Sequence, residues 1–266
     1  MSGNLYPVSA QELLYFRVRA FDNYPQFQHA IFSRKGGISP SPFFSLNLST
    51  AVGDRPEFVS QNIALVCNIM GIMPEQTVSC HLVHGAKVLP VTSANRQADM
   101  GQADGLVTNE PNIWLFMRFG DCTPLIFFDP TKNALGLTHA GWRGTMQNAA
   151  GATIAAMVKT LGCKAKNIVA VIGPAIGPCC YEVGPDVIAT AQTALANANN
   201  LLYKNGNPNH AHFDMWAANQ QQLAEVGVTQ VIQSGICTAC QTDEFFSHRA
   251  EKGQTGRFGV IVGLRP

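Results

Sequence analysis

Short apolar runs, rich in β-branched and aromatic residues, recur along the chain and are separated by Gly, Pro, Asn and Asp. Such runs are typical of β-strands, and the turn-forming residues mark where each strand ends. The pattern predicts strands over residues 28–33, 87–92, 113–118, 124–129, 134–139, 168–172, 230–236 and 257–264.

Four helices are predicted where a capping signal precedes apolar positions on a helical period. Asp54 stands three residues before Glu57, which is the spacing of a capping box. Thr145 precedes a periodic run over 146–161 that stops at Gly162. The other two helices are predicted to begin at Gly184 with Pro185, and at Asp214.

Interspersed short strands and helices predict an α/β fold, or a mixed α+β one, with strands of mixed direction. Of the 266 residues, 46% are hydrophobic and only 13% are charged, so the chain can bury a large core. We expect one domain over residues 1–266, or two closely fused ones. No GxGxxG motif follows a predicted strand, and a dinucleotide-binding fold is therefore not predicted.

The charge balance favours a small ligand. A net charge of +1 gives no long-range field to attract nucleic acid or an anionic membrane, so neither is an expected partner. The first residues show no signal-peptide pattern and no stretch reaches about 18 apolar residues, so we expect a cytoplasmic protein. In that compartment most of the eight cysteines should be free thiols.

Two candidate metal ligands are predicted to meet on a β-hairpin. Residues 129–133, Asp-Pro-Thr-Lys-Asn, are a dense turn signal between two apolar runs. If Asp129 faces Ala134, then His139 lies opposite Pro124 and becomes a diagonal neighbour of Cys122 on the same face. Their Cβ atoms would be about 7 Å apart, close enough for one ion to bridge the side chains.

His84, followed by Gly85, is the third candidate ligand and comes from a separate segment. Two imidazoles and one thiolate leave one tetrahedral position free, which is typical of catalytic rather than structural zinc. His81 is a rival ligand, but on a strand His81 and His84 would point to opposite faces, so only one should serve. Without a metal, Cys122 and His139 alone would suit a thiol hydrolase, which does not need His84.

Two other cysteines have a spacing of interest. Cys237-Thr-Ala-Cys240 matches half a zinc knuckle or a redox pair. No second CxxC accompanies it, and the favoured interpretation is buried thiols near a loop.

These motifs resemble the YfiH/laccase-domain family, whose members were once labelled polyphenol oxidases and are now regarded as purine nucleoside phosphorylases. The resemblance spans nearly the whole chain and is most specific in two of its runs, "ADGLVT" and "HAGWRG". Matching runs include "FSRKGGIS" at 32–39, "HLVHG" at 81–85, "ADGLVTN" at 103–109, "GDCTPL" at 120–125, "HAGWRG" at 139–144, "IGPAIGPCCYEVG" at 172–184 and "TGRFG" at 255–259.

The resemblance implies a layered αββα sandwich of mixed sheets, with zinc on His84, Cys122 and His139. It also implies phosphorolysis of adenosine, inosine, guanosine and methylthioadenosine, together with adenosine deamination. Leu82 stands where the family usually has Gln, which puts substrate contacts there in doubt. Copper is a possible alternative metal for a His, His, Cys set. A true multicopper oxidase is not expected, because only His210-Ala-His212 has the HxH pattern.

Four further residues are candidates for binding the substrate or for catalysis. Arg143 precedes a predicted helix N-terminus, where a phosphate would be favoured. Our hypothesis assigns phosphate or ribose contacts to Arg143, Arg34 and Asn47, and proton or hydroxyl handling to Asp104. Arg34 and Asn47 fall in Gly- and Ser-rich loops, where binding groups tend to lie. The expected partners are purine nucleosides and phosphate, and the expected assembly is a monomer or homodimer.

Overall fold

The computed structural model describes residues 4–204 and 206–266, which contain sixteen β-strands and five α-helices. The strands are β1 (Leu5–Ala10), β2 (Leu13–Val18), β3 (Phe27–Phe32), β4 (Thr77–His81), β5 (Val88–Pro90), β6 (Asp99–Gln102), β7 (Gly105–Thr108), β8 (Trp114–Phe119), β9 (Thr123–Asp129), β10 (Ala134–Ala140), β11 (Val169–Ile172), β12 (Glu182–Val183), β13 (Leu202–Lys204), β14 (Ala211–Phe213), β15 (Gln230–Gln233) and β16 (Phe258–Leu264). The helices are α1 (Pro56–Met70), α2 (Trp142–Met146), α3 (Ala149–Leu161), α4 (Pro185–Ala194) and α5 (Met215–Glu225).

Two large sheets form the body of the molecule. One has the strand order β1-β2-β3-β16-β8-β4-β6, and the other β15-β11-β9-β10-β7-β5. Parallel and antiparallel pairs occur in both sheets, as predicted. A smaller sheet, β12-β14-β13, lies outside them. All eight strands predicted from the apolar runs are confirmed, with bounds that differ by a few residues.

The main hydrophobic core lies between the two large sheets. Ile31 and Val260 of one sheet pack in the same cluster as Ile126 and Leu135 of the other. Helix α1 covers the outer face of the first sheet, and α3 with α5 covers the outer face of the second. The order of layers is therefore helix, sheet, sheet, helix, and the predicted αββα sandwich is confirmed.

The predicted hairpin is confirmed in its register. Strands β9 and β10 pair antiparallel, with Asp129 opposite Ala134 and Pro124 opposite His139. Every residue of both strands is buried, because β9 and β10 lie in the middle of the sheet between the inner core and the helix layer. The end of this hairpin that carries Cys122 and His139 is thus held by the most buried part of the fold.

Two helix starts are confirmed and two are wrong. Gly184 and Asp214 are the N-caps of α4 and α5, and the Asp214 carboxylate accepts the Ala217 N–H at 2.9 Å. Helix α1 has Arg55 at its N-cap with no side-chain cap, because the Asp54 carboxylate is bonded to Ser39 and Asn47 instead.

The helix predicted over 146–161 with a Thr145 cap is two helices. Thr145 lies inside α2, and Asn148, in the left-handed region at φ +59°, separates α2 from α3. The Asn148 side chain caps α3 by accepting the Gly151 N–H at 2.9 Å. Gly162 ends α3 as predicted. Over residues 4–204 and 206–266, no helix has both the length and the hydrophobicity needed to cross a membrane.

Candidate functional site

Three candidate ligands meet at one end of the β9–β10 hairpin. His139 is the second-last residue of β10, Cys122 directly precedes β9, and His84 lies in the loop between β4 and β5. Their ligand atoms all lie within 4.8 Å of one another, and the two imidazole rings are 4.9 Å apart and nearly perpendicular. The structure therefore brings together the three residues that sequence analysis selected. Among the described residues this group contains His84 and not its rival His81.

The His84 loop has a special backbone conformation. His84 adopts φ +60°, a left-handed conformation that is uncommon for a non-glycine residue. Its N–H donates to Asp104 Oδ1 at 2.9 Å, and the Gly85 N–H donates to Asp104 Oδ2 at 2.7 Å. Because His84 lies beyond the end of β4, the strand-face argument for choosing between His81 and His84 does not apply.

Asp104 joins two of the ligand segments. Its carboxylate is fully buried and lies 3.1 Å from His139 Nδ1, and its main-chain carbonyl accepts the His139 N–H at 2.7 Å. A carboxylate on Nδ1 orients the imidazole and leaves Nε2 for a metal. Burial alone would raise the pKa of Asp104, but the bonds from His139 and from the Gly85 and His84 amides outweigh it and lower the pKa. Asp104 is thus held as a carboxylate.

Asp121 fixes the turn that presents Cys122. Its backbone adopts φ +88°, and its carboxylate accepts hydrogen bonds from three groups. The hydroxyls of Thr238 and Ser247 donate at 2.7 and 2.8 Å, and the Arg249 N–H donates at 2.6 Å. These bonds tie the Cys122 turn to the C-terminal loops of the chain, and sequence analysis did not identify Asp121.

Cys122 and His139 form a strongly interacting pair. Burial would raise the pKa of Cys122, but the charge and hydrogen bond of His139, with a further contribution from His84, lower it to about 6. Burial would lower the pKa of His139, but Cys122 and Asp104 raise it to about 9. Both shifts favour the thiolate and imidazolium forms of this pair in the metal-free protein.

Gly141 keeps the space between the ligands open. A Cβ at this position would lie 2.9 Å from Cys122 Sγ and 3.2 Å from His84 Cδ2. The three donor atoms therefore surround a gap that a side chain at position 141 would fill. Two imidazole nitrogens and one thiolate are a donor set that zinc takes, with one position left for substrate. The residues present thus fit a catalytic zinc ion.

Two arginines belong to segments next to the ligands: Arg143 lies in the segment that follows His139, and Arg257 lies against Gly120, two residues before Cys122. Arg143 is exposed, and its guanidinium lies 4.2 Å from the Trp142 ring. Arg143 lies in the first turn of α2 rather than before a helix, so the predicted helix start is wrong, and the predicted phosphate contact of Arg143 stays a prediction. Burial lowers the pKa of Arg257, while the negative charges of Cys122 and Asp121 oppose this shift.

Two more side chains extend this basic region. Arg257 Nη2 lies 3.5 Å from His248 Nδ1, and Arg249 lies over the Tyr181 ring at 5.1 Å. Burial raises the pKa of Tyr181; the negative charge of Cys122 adds to this shift, and the positive charges of Arg249 and Arg143 oppose it. Sequence analysis did not assign roles to Arg249 and Arg257, although Arg257 lies in one of the runs that carry the family resemblance.

Arg34 and Asn47 are bound into the protein itself. Arg34 forms an ion pair with Glu251 at 2.9 Å and lies 4.3 Å from the Phe246 ring. It lines an open cleft of about 650 Å³. The Asn47 amide is buried, donates to Asp54 at 2.8 Å and accepts the Arg257 N–H at 2.9 Å. The Asn47 amide thus positions the Arg257 backbone, and its predicted substrate contact stays a prediction.

Comparison with known proteins places the chain among relatives over most of its length. The model of the family described as "Multi-copper polyphenol oxidoreductase laccase" matches residues 28–265. A Geobacillus stearothermophilus protein named purine nucleoside phosphorylase YlmD is 36% identical over 242 residues, which cover 88% of each chain. A Bacteroides thetaiotaomicron purine nucleoside phosphorylase is 32% identical over 254 residues, covering 91% of this chain and 94% of the other.

A solved structure agrees with these matches. The crystal structure of YlmD from Geobacillus stearothermophilus superposes with a TM-score of 0.92 at 32% identity, covering 99% of this chain and all of the other. The identity, the coverage and the shared αββα layers agree with the motifs read from the sequence. This chain therefore belongs to the YfiH/laccase-domain family.

Proposed function

We propose that this protein is a zinc-dependent purine nucleoside phosphorylase, a cytoplasmic single-domain enzyme that acts as a monomer or homodimer. The observation that carries the proposal is the convergence of His84, Cys122 and His139 around an open gap, in a chain whose relatives are named purine nucleoside phosphorylase. The substrates proposed are adenosine, inosine, guanosine and methylthioadenosine with phosphate, and the products are the free base and a pentose 1-phosphate.

The proposed roles of the chain's own residues follow from their contacts. His84, Cys122 and His139 would hold the zinc ion, which when bound supplies a Lewis acid with one free coordination position. Asp104 accepts a hydrogen bond from His139 Nδ1, which keeps Nε2 directed toward the gap. We propose that Asp104 acts by orienting His139, since its own oxygens are buried and bonded. The proton or hydroxyl handling assigned to Asp104 from the sequence stays a prediction.

The basic side chains supply the binding site proposed for phosphate. Glycosyl transfer passes through a transition state with positive charge on the sugar, so a phosphate beside the sugar both stabilises that charge and attacks the anomeric carbon. Arg143, Arg249 and Arg257 provide guanidinium groups that suit phosphate oxygens. Arg34 remains a proposed contact at the cleft, and Asn47 contributes by holding the Arg257 backbone.

A substitution of Arg143 tests the phosphate role. Arg143→Ala should raise the KM for phosphate by about tenfold or more, the loss expected for one charge-assisted contact, and leave the KM for inosine nearly unchanged. Lys159→Ala, which removes an exposed positive charge from α3, is the matched control and should change neither constant. Equal increases in both constants would remove Arg143 from the phosphate site.

Adenosine deamination is the second reaction proposed for the same site. The Lewis acid that the three ligands would hold is suited to activate water for attack on C6 of a purine. Adenosine without phosphate should therefore yield inosine, detected by chromatography. Copper remains an alternative metal, because a His, His, Cys set also suits copper. Metal analysis of protein purified without added metal tests zinc against copper.

A thiol hydrolase built on Cys122 and His139 is the competing function. The observation that favours it is the thiolate–imidazolium pair, which is the activated form of such a nucleophile. Chelation separates the two functions. Removal of the metal should abolish phosphorolysis, and added zinc should restore it, whereas an amidase activity that survives the chelator and disappears on alkylation of Cys122 would establish the hydrolase.

A further inference from the structure

A second group of thiols lies apart from the three proposed zinc ligands. Cys179 and Cys180 lie in the turn before β12, and Cys237 and Cys240 lie in the turn after β15. Their four sulfur atoms all lie within 4.8 Å of one another. The second turn is the CxxC segment that sequence analysis interpreted as buried thiols. That interpretation is wrong for Cys240, which is exposed, as is Cys179.

The spacing of the sulfurs suits a single metal ion. Cys240 Sγ lies 3.5 Å from Cys179 Sγ and 3.3 Å from Cys180 Sγ. Four sulfurs at about 2.3 Å from a tetrahedral zinc ion are about 3.8 Å from one another. The observed separations are near this value and far longer than a disulfide bond of about 2.05 Å. Only a small adjustment of the sulfur positions is therefore needed for the four to surround one ion.

A main-chain donor already bonds one of these sulfurs. Cys237 Sγ accepts the Gly177 N–H at 3.2 Å. Amide hydrogen bonds to sulfur stabilise a metal-bound thiolate, as groups outside the ligand set do at other metal sites. Gly177 permits this approach, because a Cβ there would lie 2.7 Å from the Trp216 ring and 3.3 Å from Cys179 Sγ.

The two turns are also joined to each other through the backbone. Ala175 and Cys237 form an isolated parallel bridge, with the Ala175 N–H bonded to the Ile236 carbonyl and the Thr238 N–H bonded to the Ala175 carbonyl. The four sulfurs are thus held near one another by the fold. A CxxC pair, completed by two cysteines from another turn, is the ligand set of a structural zinc site.

We propose that Cys179, Cys180, Cys237 and Cys240 form a second metal site, a closed tetrathiolate that binds zinc. All four tetrahedral positions are filled by sulfur, so the ion has no open position for substrate and its role is structural. The site supports the catalytic centre through Asp121. The Thr238 hydroxyl donates to the Asp121 carboxylate at 2.7 Å, and the Ile176 N–H donates to the Asp121 carbonyl at 2.9 Å. Asp121 in turn precedes Cys122.

Zinc content measured on purified reduced protein tests this site without reference to nucleoside chemistry. The wild-type chain should carry about two zinc ions, and both Cys179→Ser with Cys240→Ser and the single variant Cys122→Ser should lose about one. Cys163→Ala, which changes a buried thiol of another cluster, is the control and should keep both. Wild-type protein with one zinc ion, unchanged by Cys179→Ser with Cys240→Ser, would overturn the proposal.

X-ray absorption identifies the ligands directly and does not depend on whether the paired variant folds. In the Cys122→Ser protein the remaining zinc should have about four sulfur neighbours at about 2.3 Å. In the wild type the two sites together should average two to three sulfurs per zinc, roughly the mean of one and four. An average of about one sulfur per zinc, or a disulfide within the group found by mass spectrometry of the native protein, would contradict the tetrathiolate.

Discussion

Asp104 is the residue on which the geometry of the proposed zinc centre depends most. One carboxylate bonds the His139 ring and the backbone amides of His84 and Gly85, so it orients one ligand and fixes the loop of another. The motif run "ADGLVT" makes Asp104 a candidate, but nothing in the sequence indicates that its carboxylate contacts His139, His84 and Gly85. They arise because β7 and β10, which are separated by two other strands in the sequence, pair in the sheet.

Replacing Asp104 tests this arrangement. Asp104→Asn keeps the shape of the side chain but removes the charge that raises the basicity of His139. We expect zinc affinity at the catalytic site to fall by about 10- to 100-fold, measured by competition with a chelator. Asp99→Asn, which changes an exposed carboxylate on β6, is the matched control. Unchanged affinity in Asp104→Asn would show that Asp104 does not support the metal.

His29 makes the stability of the core depend on pH. Its Nε2 accepts the Val18 N–H at 2.8 Å, and the ring stacks on Phe27 at 5.5 Å. Burial, aided by Arg17, lowers the pKa of His29 to about 3. Below about pH 6.5 the unfolded chain binds a proton at this histidine that the folded protein excludes. The contribution of His29 to the free energy of unfolding is therefore fully present above pH 6.5 and is lost as the pH falls toward 3.

The loss is on the order of 4 kcal/mol across that range. Urea unfolding at pH 7.5 and pH 5 measures the upper part of this range, where the loss is about 2 kcal/mol. His29→Gln, whose side chain cannot take up a proton, should show a smaller decrease between the two pH values, although its stability at pH 7.5 is lower. His81→Gln changes an exposed histidine and should retain the wild-type decrease. Equal decreases in all three proteins would contradict the role of His29.

At the scale of elements, the β9–β10 hairpin is the part of the site that the sequence predicts best. A dense turn signal between two apolar runs fixes the loop, and the loop fixes the register that brings His139 opposite Pro124. The division between α2 and α3 is not predictable in the same way. The apolar period continues across Asn148, and only the left-handed conformation of this residue ends one helix and caps the next.

The start of α2 lies directly against the proposed zinc ligands. Gly141 is its N-cap, and a Cβ there would lie 2.9 Å from Cys122 Sγ. Gly141→Ala should therefore displace the thiolate and weaken zinc binding at the catalytic site by about tenfold or more, as one displaced ligand would. The matched control is Gly184→Ala at the N-cap of α4, which has a similar extended backbone and where a Cβ would make only ordinary van der Waals contacts. Wild-type zinc affinity in Gly141→Ala would show that the gap tolerates a methyl group.

At the scale of the whole molecule, the layered fold can be predicted from the sequence. The contribution of Cys179 and Cys180 to the group of four thiols cannot. Apolar strands and amphipathic helices determine how many layers must bury one another, and these patterns are local in the sequence. The tetrathiolate group depends on two turns from distant parts of the chain, which only the folded structure brings together. The same holds for Asp121, whose partners Thr238 and Ser247 lie near the C-terminus.

The fold therefore concentrates three kinds of group at one end of the central hairpin. Two of the proposed zinc ligands lie at the ends of β9 and β10 and the third lies in the loop between β4 and β5. Basic side chains lie on neighbouring segments, and the C-terminal loops hold the Cys122 turn through Asp121. A phosphate and a nucleoside bound there would meet at the open side of the metal. This arrangement is the physical basis of the proposed phosphorolysis.

The most direct measurement is product formation from inosine by protein purified without added metal, with and without phosphate. If the protein is a zinc-dependent phosphorylase, we expect hypoxanthine and ribose 1-phosphate in equal amounts, and only when phosphate is present. Cys122→Ser, which should lose the zinc of the proposed catalytic site, should form no product. Cys67→Ala, a buried thiol in the α1 layer, should retain the activity. Hypoxanthine released without phosphate, or no base released from inosine, adenosine, guanosine or methylthioadenosine, would contradict the account.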